Sequence, residues 1–242
     1  MKLLVSLLLY LACTIQIVQA KTYVICIGVS DYPGKYNDLR LSINDAESIK
    51  ALYDKFGHTE VEALYNSHAT KSQVYHTMKK MYDKAKEQDA IVFYFSGHGL
   101  PNGIVCYDGV LPYHNINKAM MDSKAYTKYV FADACFSGKA RTTFKRSANK
   151  SYKDVIYFLS SRSNEQSSET LVGRNSLFTM YLEQGMKGRA DINKDGIVTA
   201  KELFDFVRNG VINASKGRQH PVIWGNFDAT KPILKLNQHV MI

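Results

Sequence analysis

Tyr129-Val130-Phe131-Ala132-Asp133-Ala134-Cys135-Phe136-Ser137-Gly138 is the stretch on which the reading of this chain turns. Its first four residues are an apolar run with β-branched and aromatic members, which predicts a strand buried on both faces. Cys135 then falls just past the carboxyl end of that strand. In open α/β sheets the working residues collect in the crevice at the carboxyl ends of the strands. A second run, Ile91-Val92-Phe93-Tyr94-Phe95, is followed by Ser96-Gly97-His98-Gly99, so an imidazole also stands at a strand end, between two glycines that permit close approach. A thiol and an imidazole so placed suit attack on an amide carbonyl. The imidazolium lowers the thiol pKa, the thiolate is the nucleophile, and the same ring protonates the departing amine. The N–H groups of Gly99 and Cys135 supply an oxyanion site that needs no side chain. A buried structural cysteine beside a hydrogen-bonded histidine explains either residue alone, but poorly explains both at glycine-flanked strand ends.

Outward from these two strands the chain alternates. Tyr23 to Gly28 predicts the first strand and Val29 to Gly34 the loop leaving it. Ser42 is placed to cap a helix whose apolar face is Ala46, Ile49, Leu52, Tyr53 and Phe56, with Gly57 as its stop. Val61 to Tyr65 predicts a short strand, and Thr70-Lys71-Ser72-Gln73 a capping box opening a helix with Val74, Met78, Met81 and Ala85 on one face. Val155 to Leu159 predicts a later strand and Leu177 to Gln184 a later helix. Such alternation implies a mainly parallel sheet with helices on both faces.

Phe95-Ser96-Gly97-His98-Gly99 and Asp133-Ala134-Cys135-Phe136-Ser137-Gly138 resemble the His and Cys motifs of the caspase-like peptidases, nearer to metacaspases and their bacterial relatives than to caspases. The caspase signature carries Gln two residues before the Cys and a His about 50 residues upstream; here Asp133 takes the Gln position and His98 lies 37 positions upstream. The resemblance spans Tyr23 to about Leu236. It implies a caspase-like α/β sandwich with a six-stranded, mainly parallel sheet. It also implies that His98 and Cys135 are catalytic, with residues 21–138 as the large-subunit-like part, 139–153 as a joining loop and 154–242 as the small-subunit-like part.

The resemblance extends to the specificity pocket. Asn44-Asp45-Ala46 is similar to the N-D-A segment that builds the primary pocket of metacaspases, and Ser96 and Asp133 match two further pocket positions. Two carboxylates and a hydroxyl around one cleft favour Lys or Arg before the cut through charge-assisted hydrogen bonds. Asp45 alone is equally explained as a carboxylate stabilising a helix N-terminus. Ser160-Ser161-Arg162 resembles the S-x-R segment of caspases that pairs with the substrate backbone and grips an acidic side chain; with Arg40 it supports the alternative, cleavage after Asp. The loop from Lys139 to Lys153 holds six basic residues and no acid. Such a run is commonly a solvated face. In the family it is where zymogens are cut, and Lys145, Arg146 and Lys150 are the expected sites.

Asp191 to Glu202 fits the twelve-residue calcium loop at every fixed position, with Asp191, Asn193, Asp195, the Ile197 carbonyl and Glu202 as ligands and Gly196 at the sharp turn. Thr199-x-x-Glu202 is also a capping box, so a turn with a helix cap is the competing reading. The dyad requires no cofactor, and calcium is the one ion the sequence suggests.

Met1 to Ala20 has one Lys, an apolar stretch from Leu3 to Ala12 and Val18-Gln19-Ala20 as a small-residue cleavage site, which predicts a signal peptide and a secreted or periplasmic protein. Thr14, Gln16 and Gln19 interrupt the apolar run, which argues against a membrane anchor, and Cys13 sits in a poor lipobox. A formal net charge of +9, spread along the chain without a nucleic-acid motif, reads as solvated surface. The expected partner is a peptide or protein substrate. Cys26 and Cys106 read as small core residues, with a disulfide between them left open. Besides a hydrolase, an inactive caspase-fold binding protein and a transpeptidase resolving the acyl-enzyme with an amine remain compatible with these residues.

Overall fold

The computed structural model describes residues 20–34, 37–134, 155–161, 173–225 and 228–236. The expected signal segment through Gln19, Cys135, the basic run with Lys145, Arg146 and Lys150, and Arg162 lie outside the described residues.

Six strands form the central sheet: β1 (Thr22–Gly28), β2 (Thr59–Tyr65), β3 (Ala90–Ser96), β7 (Thr127–Asp133), β8 (Val155–Leu159) and β10 (Val222–Trp224), in the spatial order β10-β8-β7-β3-β1-β2. All neighbours are parallel except β10 on β8. The four inner strands β1, β3, β7 and β8 read as near-continuous apolar runs because both faces are covered, whereas the edge strand β2 carries Glu60 and Glu62. Along β1, Tyr23, Ile25 and Ile27 face a core shared with Val74, Met78 and Met81 of α2 (Lys71–Tyr82) and with Ile116 and Met120 of α3 (Tyr113–Asp122). Val24 and Cys26 face the opposite core. There they meet Ala46, Ile49 and Leu52 of α1 (Ser42–Asp54), Leu182 of α4 (Leu177–Gln184) and Leu203 and Val207 of α5 (Ala200–Ala214). Period-two alternation along one strand thus feeds two separate cores.

The strand order reverses between β1 and β3. From β1 the chain leaves over one face through α1 to β2, and from β3 it leaves over the other face through α3 to β7. Diverging connections open a crevice at the strands' carboxyl ends, the place where open α/β sheets bind ligands.

Three local expectations change. Ser42 is the first helical residue and not the cap; Leu41 holds the cap position without a side-chain bond, and the N–H of Ile43 donates instead to Ser30 Oγ at 3.1 Å. The Thr70 box is half formed: Thr70 Oγ1 accepts the N–H of Gln73 at 3.2 Å, while the Gln73 amide donates to Thr77 Oγ1 at 3.4 Å. The connection between the His and Cys motifs is not simple strand-helix alternation, because β4 (Gly99–Leu100), β5 (Gly103–Cys106) and β6 (Gly109–Pro112) make a small antiparallel sheet before α3. A second small sheet pairs β9 (Ile197–Thr199) with β11 (Pro232–Lys235). Cys26 and Cys106 are free and buried, and they belong to opposite cores, so the disulfide left open by the sequence does not form. Among the described residues no helix is long and apolar enough to cross a membrane.

Candidate active site

Parallel register brings the two motifs together. Ser96 and Asp133 are paired across β3 and β7, and the N–H of Gly97 donates to the Asp133 carbonyl at 3.2 Å. His98 is two residues beyond Ser96 and Cys135 two beyond Asp133, so both follow matched positions at the strand ends. The residue before Cys135 is fastened from β8. The Ala134 N–H donates to Ser160 Oγ at 3.1 Å, and the Ser161 hydroxyl donates to the Ala134 carbonyl at 3.4 Å. Ser160 itself is fully buried: its N–H donates to Ala132 O at 3.0 Å and its carbonyl accepts from Gln219 Nε2 at 2.9 Å. Its backbone is therefore committed inside the fold and is not open to pairing with an extended peptide.

His98 is held from three directions. Its Nε2 lies 2.7 Å from the carbonyl oxygen of Asn37. A carbonyl only accepts, so Nε2 carries the proton and Nδ1 is left as the basic nitrogen of the ring. The ring packs against Tyr32 with centroids 4.7 Å apart. The Tyr32 hydroxyl accepts the N–H of His98 at 2.9 Å and donates to Val105 O at 3.1 Å, while the Val105 N–H donates to His98 O at 2.9 Å. Burial pushes the Tyr32 hydroxyl above its ordinary pKa, which keeps it a donor. Gly97 is required here, since a Cβ would stand 2.6 Å from the Tyr32 hydroxyl.

Beneath the strand ends lies an acidic pair. Asp45 and Asp133 are 1% and 5% exposed. Asp45 Oδ2 accepts the Ser96 hydroxyl at 2.9 Å and Oδ1 accepts the N–H of Ser176 at 2.9 Å. Asp133 Oδ2 accepts the hydroxyl of Ser176 and that of Thr179, the latter at 3.1 Å. Tyr94 bonds Thr179 Oγ1 from below at 2.5 Å. Burial first, and the Asp133 charge second, push the Asp45 carboxyl up to about 7, against the pull of the Ser176 N–H and the Ser96 hydroxyl. Two carboxylates that repel one another in a buried site are relieved by a proton or by an incoming cation. Of the pocket residues expected from sequence, Asp45, Ser96 and Asp133 thus come together, and Arg40 is exposed at the approach to α1. Ser176 and Thr179 were not foreseen. Nothing local marks them except the Ser176 cap of α4, whose Oγ accepts the Thr179 N–H at 3.1 Å.

An open cleft of about 500 Å³ adjoins His98 and Gly99, lined further by Tyr32, Pro33, Asn37, Leu100, Val105 and Tyr107. It occupies the crevice where the strand order reverses.

The twelve-residue loop precedes α5. Asp191 Oδ1 and Asn193 Oδ1 accept the N–H of Asp195 at 3.2 and 3.0 Å, Asp191 Oδ2 accepts that of Gly196 at 3.0 Å, and Asp195 Oδ1 accepts that of Ile197 at 2.8 Å. Gly196 has φ +80°, the left-handed turn its position requires. Glu202 Oε2 accepts the Thr199 N–H at 2.9 Å and hydroxyl at 2.7 Å, and Thr199 Oγ1 accepts the Glu202 N–H at 3.2 Å, so the capping box is complete. Among the described residues no group of three or more His, Cys, Asp and Glu is arranged to hold a metal ion.

The family described as the caspase domain matches residues 21–230. No curated protein matches the chain. Among solved structures, caspase-1 from Spodoptera frugiperda superposes with a TM-score of 0.68 at 15% identity, covering 91% of this chain and 92% of that one. A Geobacter sulfurreducens protein superposes with a TM-score of 0.64 at 17% identity, covering 90% of this chain and 100% of that one. At such identities the likeness is one of fold.

Proposed function

Since the chain belongs to the caspase-domain family of peptidases, we propose that it is a cysteine endopeptidase that cuts after Arg or Lys, with Cys135 as nucleophile and His98 as acid and base. In this reading His98 Nδ1 takes the thiol proton and the Cys135 thiolate attacks the scissile carbonyl. The N–H groups of Gly99 and Cys135 receive the oxyanion, and the histidine returns its proton to the leaving amine. Water, deprotonated by the same ring, then releases the acyl group. The Asn37 carbonyl holds the Nε2 proton and so keeps the other nitrogen free for this work.

The buried pair of Asp45 and Asp133, joined to Ser96 at the foot of the His motif, carries the preference for a basic residue. A Lys or Arg side chain there replaces the proton that the pair must otherwise share. Secretion, and self-processing in the loop from Lys139 to Lys153, belong to the same proposal. Calcium at Asp191 to Glu202, if held, is structural in it, because the loop stands apart in sequence from the dyad. Cleavage after Asp is the second reading, favoured by the exposed Arg40 beside α1 and by Arg162 as the third residue of the S-x-R segment in the sequence. Fluorogenic peptides varied at the residue before the cut decide between them. Turnover of Arg and Lys peptides alone supports the proposal, turnover of Asp peptides alone supports the second reading, and no turnover of any supports a binding protein.

A further inference from the structure

The cleft whose wall includes His98 and Gly99 extends beyond them over Tyr32, Pro33, Leu100, Val105 and Tyr107, none of which reacts in the dyad chemistry. We infer that it receives the side chain of the residue immediately after the cut and selects large apolar or aromatic residues there; the inference rests on the peptidase reading.

Sheet order fixes the direction. β8 and β3 flank β7 on opposite sides. On the peptidase reading, a peptide attacked at Cys135, the second residue after β7, has β8 on one side and β3 and β1 on the other, so an acyl part on the β8 side puts the leaving-group part over β3 and then β1. The cleft lies at the ends of those two strands, between the loop holding Tyr32 and Asn37 and the β4-β6 sheet. The proton transfer gives the same direction independently. The leaving amine takes its proton from His98 Nδ1, so the residue bearing that amine lies beside the ring that, with Gly99 and Asn37, walls the cleft.

The lining sets the preference. Tyr32, Pro33, Leu100, Val105 and Tyr107 present mainly carbon. Leu100, in the lining, is 40% exposed, one of three large hydrophobic residues so exposed among those described. The charged rim is already engaged: Asp108 Oδ1 accepts the N–H of Lys71 at 2.7 Å at the start of α2. About 500 Å³ is at the scale of ligand clefts and exceeds what a single aromatic side chain fills. Covering Leu100 and Tyr107 with an apolar side chain removes carbon surface from water on both partners.

The test uses internally quenched peptides with Arg fixed before the cut and Gly, Asp, Lys, Leu or Phe after it. The expected kcat/KM for Phe and Leu is about 10-fold or more above that for Gly, the discrimination a hydrophobic pocket gives for a few buried carbons. Leu100→Asp and Val105→Trp, checked for folding by their melting temperatures, are expected to pull the Phe-to-Gly ratio towards one. A second measurement needs no variant: phenylalanine amide should intercept the acyl-enzyme more efficiently than glycine amide, because the amine enters through the site the leaving group left. Equal rates across the series, or a preference for Asp or Lys after the cut, overturn the inference while leaving the peptidase reading intact. Absence of turnover with Arg, Lys and Asp alike before the cut removes both.

Discussion

Asp45 and Asp133 grip the same serine: the Ser176 N–H donates to Asp45 Oδ1 at 2.9 Å, and its hydroxyl donates to Asp133 Oδ2. Burial and the neighbouring charge raise the Asp45 carboxyl to about 7, whereas an unfolded aspartate titrates near about 4. The folded protein therefore holds a proton that the unfolded chain releases. This contribution to stability is complete below about pH 4 and is lost as pH rises to about 7. Urea midpoints across that window should fall more steeply for the native protein than for Asp45→Asn. Parallel curves would show that Asp45 is not the linked group.

The same proton competes with a basic substrate. If Lys or Arg enters the pocket, ionised Asp45 binds it better, so KM for Arg peptides should fall as pH rises through about 7. Asp45→Asn should lower kcat/KM for those peptides by roughly 10- to 100-fold, the range of a lost charge-assisted hydrogen bond, with the fold retained. A variant that cuts Arg peptides as well as the parent would move specificity elsewhere.

Cys135→Ala and His98→Ala should each abolish peptide hydrolysis. His98 is part-exposed and bonds through its ring to one carbonyl, so its removal should change the melting temperature little. Full turnover by either folded variant would end the dyad mechanism.

The strands were legible because apolar runs announce themselves: two such runs, each followed by a glycine-flanked reactive residue, single out His98 and Cys135 as candidates, and the paired ends of β3 and β7 are where the first of them and the residue before the second stand. Asp45, Ser96 and Asp133 were legible only through the family resemblance. What stayed hidden depends on tertiary approach. The Asn37 carbonyl is backbone and leaves no trace in residue type, Tyr32 reads as an ordinary loop aromatic, and Ser176 reaches Asp45 across 131 positions. The β4-β6 sheet escaped because its strands are two to four residues long, too short to show a period.

On the dyad reading Tyr32 positions His98, and that effect can be separated from its packing. Tyr32→Phe keeps the ring against His98 but removes the hydroxyl that accepts the His98 N–H and donates to Val105 O. The expected cost is about 1 kcal/mol of stability, with a fall in kcat larger than any change in KM. Gly97→Ala should reproduce the kinetic defect, because its Cβ would displace the same hydroxyl. Unchanged kcat in both would reduce Tyr32 to a packing residue.

Glu202 distinguishes calcium from capping. Its carboxylate accepts from the Thr199 N–H and hydroxyl, a role that glutamine also fills in a capping box. Glu202→Gln should therefore preserve most of the melting temperature without calcium. Millimolar calcium should raise the melting temperature of the parent by mass action and raise that of the variant far less. No rise in the parent leaves the loop as a turn and cap.

Self-processing within Lys139 to Lys153 tests the acidic pocket on the enzyme's own chain. The segment carries six basic residues and no acid and begins four positions after Cys135. Cleavage is expected after Lys145, Arg146 or Lys150, since a protease binds its target extended and loop segments meet that demand. One fragment then holds His98 and Cys135, and the other begins before Val155. The fragments should co-elute, because β8 keeps its parallel pairing with β7 from Lys128↔Val155 to Ala132↔Leu159 and Ser160 still bonds Ala132 and Ala134 across the cut. Purified Cys135→Ala protein should remain one chain, and added active enzyme should cut it at the same bonds. Equal nicking of Cys135→Ala with other proteases inhibited would make the cut foreign, and the loop only an exposed target.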